Sequence, residues 1–280
     1  MYGRGIAPLA SFDPRRRYHV SPKMTDAALG SLSGRGVLVT GASSGIGRAI
    51  ALACARAGAD VALTYRSNED GAREAERQVR SLGRRVTVLQ ADVSDQSSVQ
   101  VLGTAARAAL GQIDVWVNNA GADILTGSGA TLTDIEKLDL LLAVDLRGTM
   151  LASWRAAELL DAQEHGGVII NMSWDHVLIG MEGRNPQMFA AVKGGVLAFS
   201  KSLARSVAPR VRVNVLAPGW IDTAFGSTLE EGRRRAVAES TPLGRWGVPD
   251  DVASAAVFLA SPAASFLTGQ TLLIGGGVVM

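Results

Sequence analysis

Short runs of β-branched and apolar residues alternate with longer amphipathic stretches along most of this chain. The short runs predict seven strands, over residues 36–40, 60–65, 85–90, 113–117, 168–172, 211–216 and 272–274. Helix-length segments separate them, over residues 46–57, 69–82, 97–110, 134–160 and 189–207. This alternation predicts an α/β domain, doubly wound around a mostly parallel seven-stranded sheet with helices on both faces. Ligands of such sheets lie beyond the carboxyl ends of the strands, so the loops there form the candidate site.

The first 32 residues have a different composition from the rest. They mix Gly, Pro and Ser with the basic run Arg15-Arg16-Arg17, and they show neither a helical nor a strand period. We therefore expect residues 1–32 to be a flexible N-terminal extension and residues 33–280 to form a single domain. The extension lacks the long apolar core of a secretory signal.

Charge and cysteine content exclude several classes of partner. The chain has 28 basic and 26 acidic residues, so no overall field favours nucleic acid or an anionic membrane. No apolar run approaches the roughly 18 residues that a membrane-spanning helix needs. The single cysteine, Cys54, lies in an apolar helical run and cannot form an internal disulfide. A chain without disulfides suits a reducing cytosol. We expect a cytoplasmic protein with a small-molecule partner and no metal site.

A glycine-rich turn follows the first predicted strand and leads directly into a helix. Gly41 permits a tight turn, Gly45 lets the backbone approach a pyrophosphate, and Gly47 lets helix and strand pack closely. The helix N-terminus can then receive phosphate groups. The turn predicts a Rossmann-type fold with a dinucleotide bound at Gly41, Ser43, Ser44, Gly45, Ile46 and Gly47.

The end of the second strand indicates which dinucleotide is bound. An acidic residue about 20 positions after the glycines would bind the ribose 2′-hydroxyl of NAD(H). This chain has Arg66 and Ser67 there, and a guanidinium pairs with a 2′-phosphate. The sequence therefore favours NADP(H) over NAD(H).

Further motifs, in matching order over residues 34–280, make the chain resemble the short-chain dehydrogenase/reductase family. Its glycine turn has that family's TGxxxGxG spacing, and residues 241–245 and 267–270 resemble the tail of acyl-carrier-protein ketoreductases and glucose dehydrogenases. Gly275 stands where the family's tail usually carries an acid. The resemblance implies a substrate lid over about residues 218–240 and a homo-oligomer, tetramer or dimer. It adds to the cofactor site the residues Asp92, Val93, Asn119, Ala120, Gly121, Lys193, Pro218, Gly219, Ile221 and Thr223.

The same resemblance implies a catalytic tyrosine, a lysine four residues later, a serine and an asparagine. Lys193 matches the lysine, and we expect it to bind the ribose. Phe189 stands in the tyrosine position, Trp174 in the serine position and Asp145 in the asparagine position. The three tyrosines, Tyr2, Tyr18 and Tyr65, all lie in or before the second strand, so none is a shifted replacement. Hence the usual proton donor is missing.

Two neighbouring residues are candidates for the missing chemistry. Asp175 and His176 follow the fifth strand, and a histidine or a buried carboxyl can act as a general acid or base. Alternatively, they only close a loop or shape a pocket. Asp145 is expected to pair with Lys193, because a buried charge needs a partner. We expect the substrate pocket to be lined by Ser173, Trp174, Phe189, Trp220 and Phe225, whose aromatic rings suggest an apolar or aromatic substrate.

Three functions remain open from the sequence. The first is an NADP(H)-dependent oxidoreductase that reduces an imine, an iminium ion or an activated alkene, which do not require the tyrosine. The second is a non-redox cyclase, isomerase or dehydratase that uses Asp175 or His176. The third is a cofactor-binding protein without catalysis.

Overall fold

The computed structural model describes residues 30–280, apart from the side chains of Phe225 and Ser227. It contains the predicted seven-stranded sheet, and each strand end lies within two residues of its predicted position. All strand pairs are parallel, so the sheet is wholly rather than mostly parallel. The strands are β1 (Gly36–Val39), β2 (Asp60–Tyr65), β3 (Val86–Gln90), β4 (Val115–Asn118), β5 (Gly167–Met172), β6 (Val211–Pro218) and β7 (Thr271–Ile274).

The strand order places one point of the sheet where the winding direction reverses. The order is β3-β2-β1-β4-β5-β6-β7, so the chain runs outward from β1 in one direction and then restarts at β4 on the other side of β1. Loops after β1 and β4 diverge at this point and leave a crevice at the carboxyl ends of the strands.

Helices cover both faces of the sheet. Within residues 30–280 they are α1 (Gly45–Arg56), α2 (Glu69–Ser81), α3 (Gln96–Leu110), α4 (Gly127–Ala130), α5 (Asp134–Leu141), α6 (Thr149–Asp161), α7 (Arg184–Val207), α8 (Ala224–Ser227), α9 (Glu231–Ser240) and α10 (Pro249–Ala260). Helix α7 begins at Arg184, five residues before its predicted start, because Pro186 is tolerated in a first helical turn. Helix α10 was not predicted, although Pro249 at its first position and two aspartates in its first turn are typical start signals.

The core consists of two layers, one on each side of the sheet. Alternate residues of a strand point to opposite faces, so Val115 and Val117 pack with α1 and α10 whereas Trp116 packs with α3 and α6. All three side chains are at most 1% exposed. Burial of each such side chain contributes about 1.5–3 kcal/mol, which is why the strands read as apolar runs.

The long helix predicted over residues 134–160 is interrupted. Helix α5 ends at Leu141, a π-helical segment covers Leu142–Gly148, and α6 starts at Thr149. The extra residue per turn in such a segment shifts the side chains that follow, and π segments frequently occur at functional sites. Asp145 lies in the middle of this one.

The described part of the chain already belongs to the domain shortly after its start. Leu32 is fully buried, and its N–H donates a hydrogen bond to the carbonyl of Ala57 at 2.8 Å. Residue 32, which we assigned to the extension, therefore packs in the core, and residues 1–29 of that prediction lie outside the described residues. Among residues 30–280, no helix has the length and apolar character needed to cross a membrane.

Candidate functional site

A large cleft of 1290 Å³ opens at the carboxyl ends of the strands. It brings together nearly all of the residues that the sequence predicted for the site. Those lining it are Gly41, Ser43, Ser44, Gly45, Ile46, Gly47, Arg66, Ser67, Asp92, Val93, Asn119, Ala120, Gly121, Asp145, Ser173, Trp174, Phe189, Lys193, Pro218, Gly219, Trp220, Ile221 and Thr223.

The turn between β1 and α1 is shaped to admit phosphate groups. Gly45 has φ +53°, and a Cβ there would project into open space, with only Thr223 Cγ2 nearby at 3.8 Å. Ser44 precedes the helix without a side-chain capping bond, so the first N–H groups of α1 are available to an anion. Asn119 Nδ2 fixes the turn by donating to the carbonyls of Thr40 and Gly41, each at 3.0 Å. These features fit the pyrophosphate of a dinucleotide.

A cation lies at the end of β2 beside this turn. Arg66 and Ser67 are both exposed there and line the cleft. Asp92 follows β3, and the hydrogen bonds from Ser94, followed by the positive charge of Arg66, hold the pKa of Asp92 below its usual value. Arg66 has no ion-pair partner among residues 30–280 and thus remains free to bind a phosphate.

A buried ion pair forms the floor of the cleft. Lys193 Nζ, from α7, lies 2.8 Å from Asp145 Oδ2 in the π segment. The second Asp145 oxygen accepts a hydrogen bond from the N–H of Ala122 at 2.7 Å. The pairing predicted for these two residues is therefore present.

An aromatic ring packs beside this ion pair, and a second ring packs against the first. The Phe189 ring centroid lies 5.4 Å from Lys193 Nζ and 5.4 Å from the Trp174 ring, which it meets edge to face. The hydroxyl of Ser173 donates a hydrogen bond to the backbone carbonyl of Lys193 at 2.8 Å, so its proton is already engaged. Tyr65, the tyrosine within residues 30–280, stands at the end of β2. This end of the cleft therefore combines an apolar wall with one cation–carboxylate pair.

Asp175 and His176 do not line the cleft, although Trp174 beside them does. Asp175 is completely buried, and its Oδ2 faces Gly219 and Gly275 and has no hydrogen-bond partner within residues 30–280. Its Oδ1 lies 2.6 Å from His176 Nδ1. The histidine ring stacks on Trp174 at 4.9 Å. A proton-transfer role for the pair stays a prediction, since neither side chain is among the residues that line the cleft.

The segment after β6 closes one side of the cleft. Trp220 contacts Trp246 with ring centroids 5.5 Å apart, and the Arg234 guanidinium lies over the Trp246 ring at 5.3 Å. Arg234 also binds both carboxylate oxygens of Asp222 at 3.0 Å. These contacts anchor α9 to the end of β6. The side chain of Phe225, predicted for the substrate pocket, lies outside the described residues.

Sequence reasoning missed part of the opposite wall of the cleft. The loop before α7 contributes Met181 and Glu182, the first residue of α7 contributes Arg184, and α5 contributes Lys137 and Leu140. A signal for Lys137 was present: it lies four residues before Leu141, on the apolar face of a helix, where a lysine is unusual.

Comparisons with known proteins agree with this geometry. Residues 41–279 match the sequence model of a family described as enoyl-(acyl carrier protein) reductase. The chain is 38% identical over 254 residues to 3beta-hydroxysteroid dehydrogenase 1 of Eggerthella lenta, covering 89% of this chain and 95% of that protein.

Solved structures are similar along the same length. One is a short-chain dehydrogenase from Burkholderia cenocepacia J2315 in complex with NADP, with TM-score 0.80, 33% identity and coverage of 88% of this chain and 98% of that one. Another is a 7 alpha-hydroxysteroid dehydrogenase complexed with NADH and 7-oxo glycochenodeoxycholic acid, with TM-score 0.82, 29% identity and coverage of 91% and 98%.

Proposed function

This chain belongs to the short-chain dehydrogenase/reductase family of oxidoreductases, and we propose that it is an NADP(H)-dependent reductase of an imine, an iminium ion or an activated alkene. The observation that carries the proposal is the aromatic wall at Phe189 and Trp174, where the family's redox chemistry needs a tyrosine and a serine. The proposal concerns the cofactor, the substrate class and the altered proton delivery.

The cofactor part is supported by the fit of the cleft to NADP(H). The turn at Gly45 and the open N-terminus of α1 would hold the pyrophosphate, and Lys193 would hold the nicotinamide ribose. Arg66 and Ser67 would hold the 2′-phosphate, where an NAD(H)-specific protein would carry an acid. One similar structure, from Burkholderia cenocepacia, is described with NADP.

The substrate part follows from which side chains can move a proton. When bound, NADPH supplies a hydride to an electrophilic carbon. A ketone that accepts a hydride becomes an alkoxide and needs a proton from a positioned acid, whereas Phe189 has no ionisable group. The lysine next to it is already held by Asp145 at 2.8 Å. Direct reduction of a ketone is therefore disfavoured.

An iminium carbon avoids this requirement. The hydride electrons form the new C–H bond, the π electrons of the C=N bond move to nitrogen, and the product is a neutral amine with no proton needed in the transition state. The ring of Trp174, which lines the cleft, would stabilise the cationic substrate by cation–π interaction. An activated alkene would also qualify, with its carbanion taking a proton from water.

The experiment measures NADPH absorbance with cyclic imines, enones and matched ketones. We expect oxidation with imines or enones and little with ketones. In the variant carrying both Trp174→Ser and Phe189→Tyr, a positioned hydroxyl would become available, and we expect ketone reduction to rise by about 100-fold or more. A wild-type protein that reduces only ketones, or none of these compounds, contradicts the proposal.

Two rival functions remain, and each is distinguished by a different observation. A non-redox cyclase, isomerase or dehydratase was expected to use Asp175 or His176, and neither lines the cleft. A protein without catalysis would retain NADPH binding but show no turnover with any compound. A homo-oligomeric assembly and a cytoplasmic location stay predictions, the former measurable by light scattering.

A further inference from the structure

Among residues 30–280, Lys137 is a buried cation without a partner in the wall of the cleft. Its side chain is only 8% exposed, and it lines the cleft. Within the described part of the chain its Nζ forms neither a hydrogen bond nor an ion pair. The nitrogen is not fully enclosed by protein atoms, so it is accessible from the cleft.

Neighbouring carboxylates are engaged elsewhere. Asp134, one turn earlier on α5, lies 3.4 Å from the guanidinium of Arg184. Glu136 accepts hydrogen bonds from the N–H and the hydroxyl of Thr133 at 2.8 and 2.7 Å, which caps the start of the helix. Neither of these carboxylates is among the partners of Lys137, and burial of an unpaired ammonium costs free energy.

Lys137 lies along the cleft from the Lys193–Asp145 pair, which marks the end of the cleft where we expect the reaction. It shares a helix face with Leu141, which is fully buried in a cluster with Met188 and Val192 of α7, and Phe189 packs against the same cluster. Asp145 lies eight residues further along, which corresponds to roughly 12 Å along a helix axis. A ligand that reaches from the Lys193–Asp145 pair to Lys137 would pass the apolar side chain of Leu140, which also lines the cleft.

We propose that Lys137 binds a carboxylate of the substrate, so that the substrate carries a carboxylate on an apolar or aromatic body. The charged group would lie on the order of 10 Å from the reduced bond, as the helical spacing requires. One ammonium, a compact point charge with three donors, matches a singly charged carboxylate. This proposal rests on the proposed reductase function, whose site it extends.

The first test measures binding alone, so it does not depend on turnover. Protein saturated with NADP+ is titrated calorimetrically with 6-phenylhexanoate and with its neutral counterpart 6-phenylhexanamide. We expect the wild type to bind the carboxylate about tenfold or more tightly than the amide, as for other hydrogen bonds to charged groups. Lys137→Met should abolish this preference without weakening the binding of the amide. Lys201→Met, which removes an exposed lysine outside the cleft, should retain it.

Three results would overturn the proposal. The first is a wild type without preference for the carboxylate, including one that binds neither probe. The second is a Lys137→Met protein that keeps the preference. The third is a variant that binds both probes equally more weakly, or that binds NADP+ more weakly. Either would indicate a structural or cofactor-binding role for Lys137. The variant's thermal unfolding midpoint, compared with that of the wild type, shows whether the fold is retained.

Turnover then separates this proposal from the proposed function. The two substrates are an imine that carries a carboxylate and the methyl ester of that imine. Lys137→Met should raise KM for the acid by about tenfold and leave its kcat unchanged. Both kinetic constants for the ester should stay as in the wild type. If no imine or enone is reduced, the proposed function fails while the binding preference at Lys137 can still stand. If both imines are reduced equally well by the wild type, the carboxylate proposal alone fails.

Discussion

Lys193 Nζ and Asp145 Oδ2 are 2.8 Å apart, and the two side chains are only 7% and 2% exposed. The lysine comes from α7 and the aspartate from the π segment, so the ion pair joins two walls of the cleft. Removing one partner would leave an uncompensated buried charge, which is far more costly than the pair is stabilising.

We therefore expect Asp145→Ala to lower the free energy of unfolding by about 3–5 kcal/mol. Replacing both residues, by Asp145→Leu with Lys193→Met, should restore most of that loss because no charge remains buried. Denaturant unfolding of the wild type, both single variants and the double variant measures the coupling. Additive losses in the double variant would show that the pair is not coupled.

Arg66 should determine the preference for NADP(H). Its guanidinium is exposed at the end of β2 and lines the cleft. Loss of a charge-assisted hydrogen bond to the 2′-phosphate costs about 1.5–3 kcal/mol, so Arg66→Ala should weaken NADPH binding by roughly 10- to 100-fold. NADH binding should stay unchanged in the same calorimetric titration. Arg205→Ala, at an exposed arginine outside the cleft, is the matched control, and an equal effect of both variants would refute the assignment.

Asp175 and Gly275 should also be coupled, here through a steric contact instead of an ion pair. A Cβ built on Gly275 would collide with Asp175 Oδ2, an enclosed atom that has no hydrogen-bond partner in the described part of the chain. Gly275→Ala should therefore destabilise the wild type by about 1–3 kcal/mol, the usual cost of overpacking. In an Asp175→Ala background the same change should cost little. Thermal unfolding of the four proteins tests this, and an undiminished cost in that background would contradict the contact.

Cys54 should be chemically inert in the folded protein. It is 1% exposed in α1, and burial raises the pKa of its thiol to about 12. At pH 8 only about one molecule in ten thousand would carry the reactive thiolate, by the definition of the pKa. We expect a thiol reagent to label the native protein very slowly at that pH and to label it at once in denaturant. Fast labelling under native conditions would indicate that α1 opens readily.

Local pattern was sufficient to predict the sheet and the cofactor end of the site. The strands are apolar because both faces of a parallel sheet are covered, and this marks them in the sequence. The turn at Gly41, Gly45 and Gly47 has a fixed spacing because its backbone geometry is fixed, and Arg66 follows at the end of the next strand. Each of these features depends on residues that are close together along the chain.

The tertiary structure decided what the side chains at the reacting end do. Trp174 and Asp175 are neighbours, yet the first lines the cleft whereas the second is buried against Gly219 and Gly275, which directly follow β6 and β7. The sequence determined that a hydroxyl is missing at Phe189. It could not place Lys137 in the cleft or Asp175 behind it, because burial and orientation depend on packing between segments that are distant along the chain.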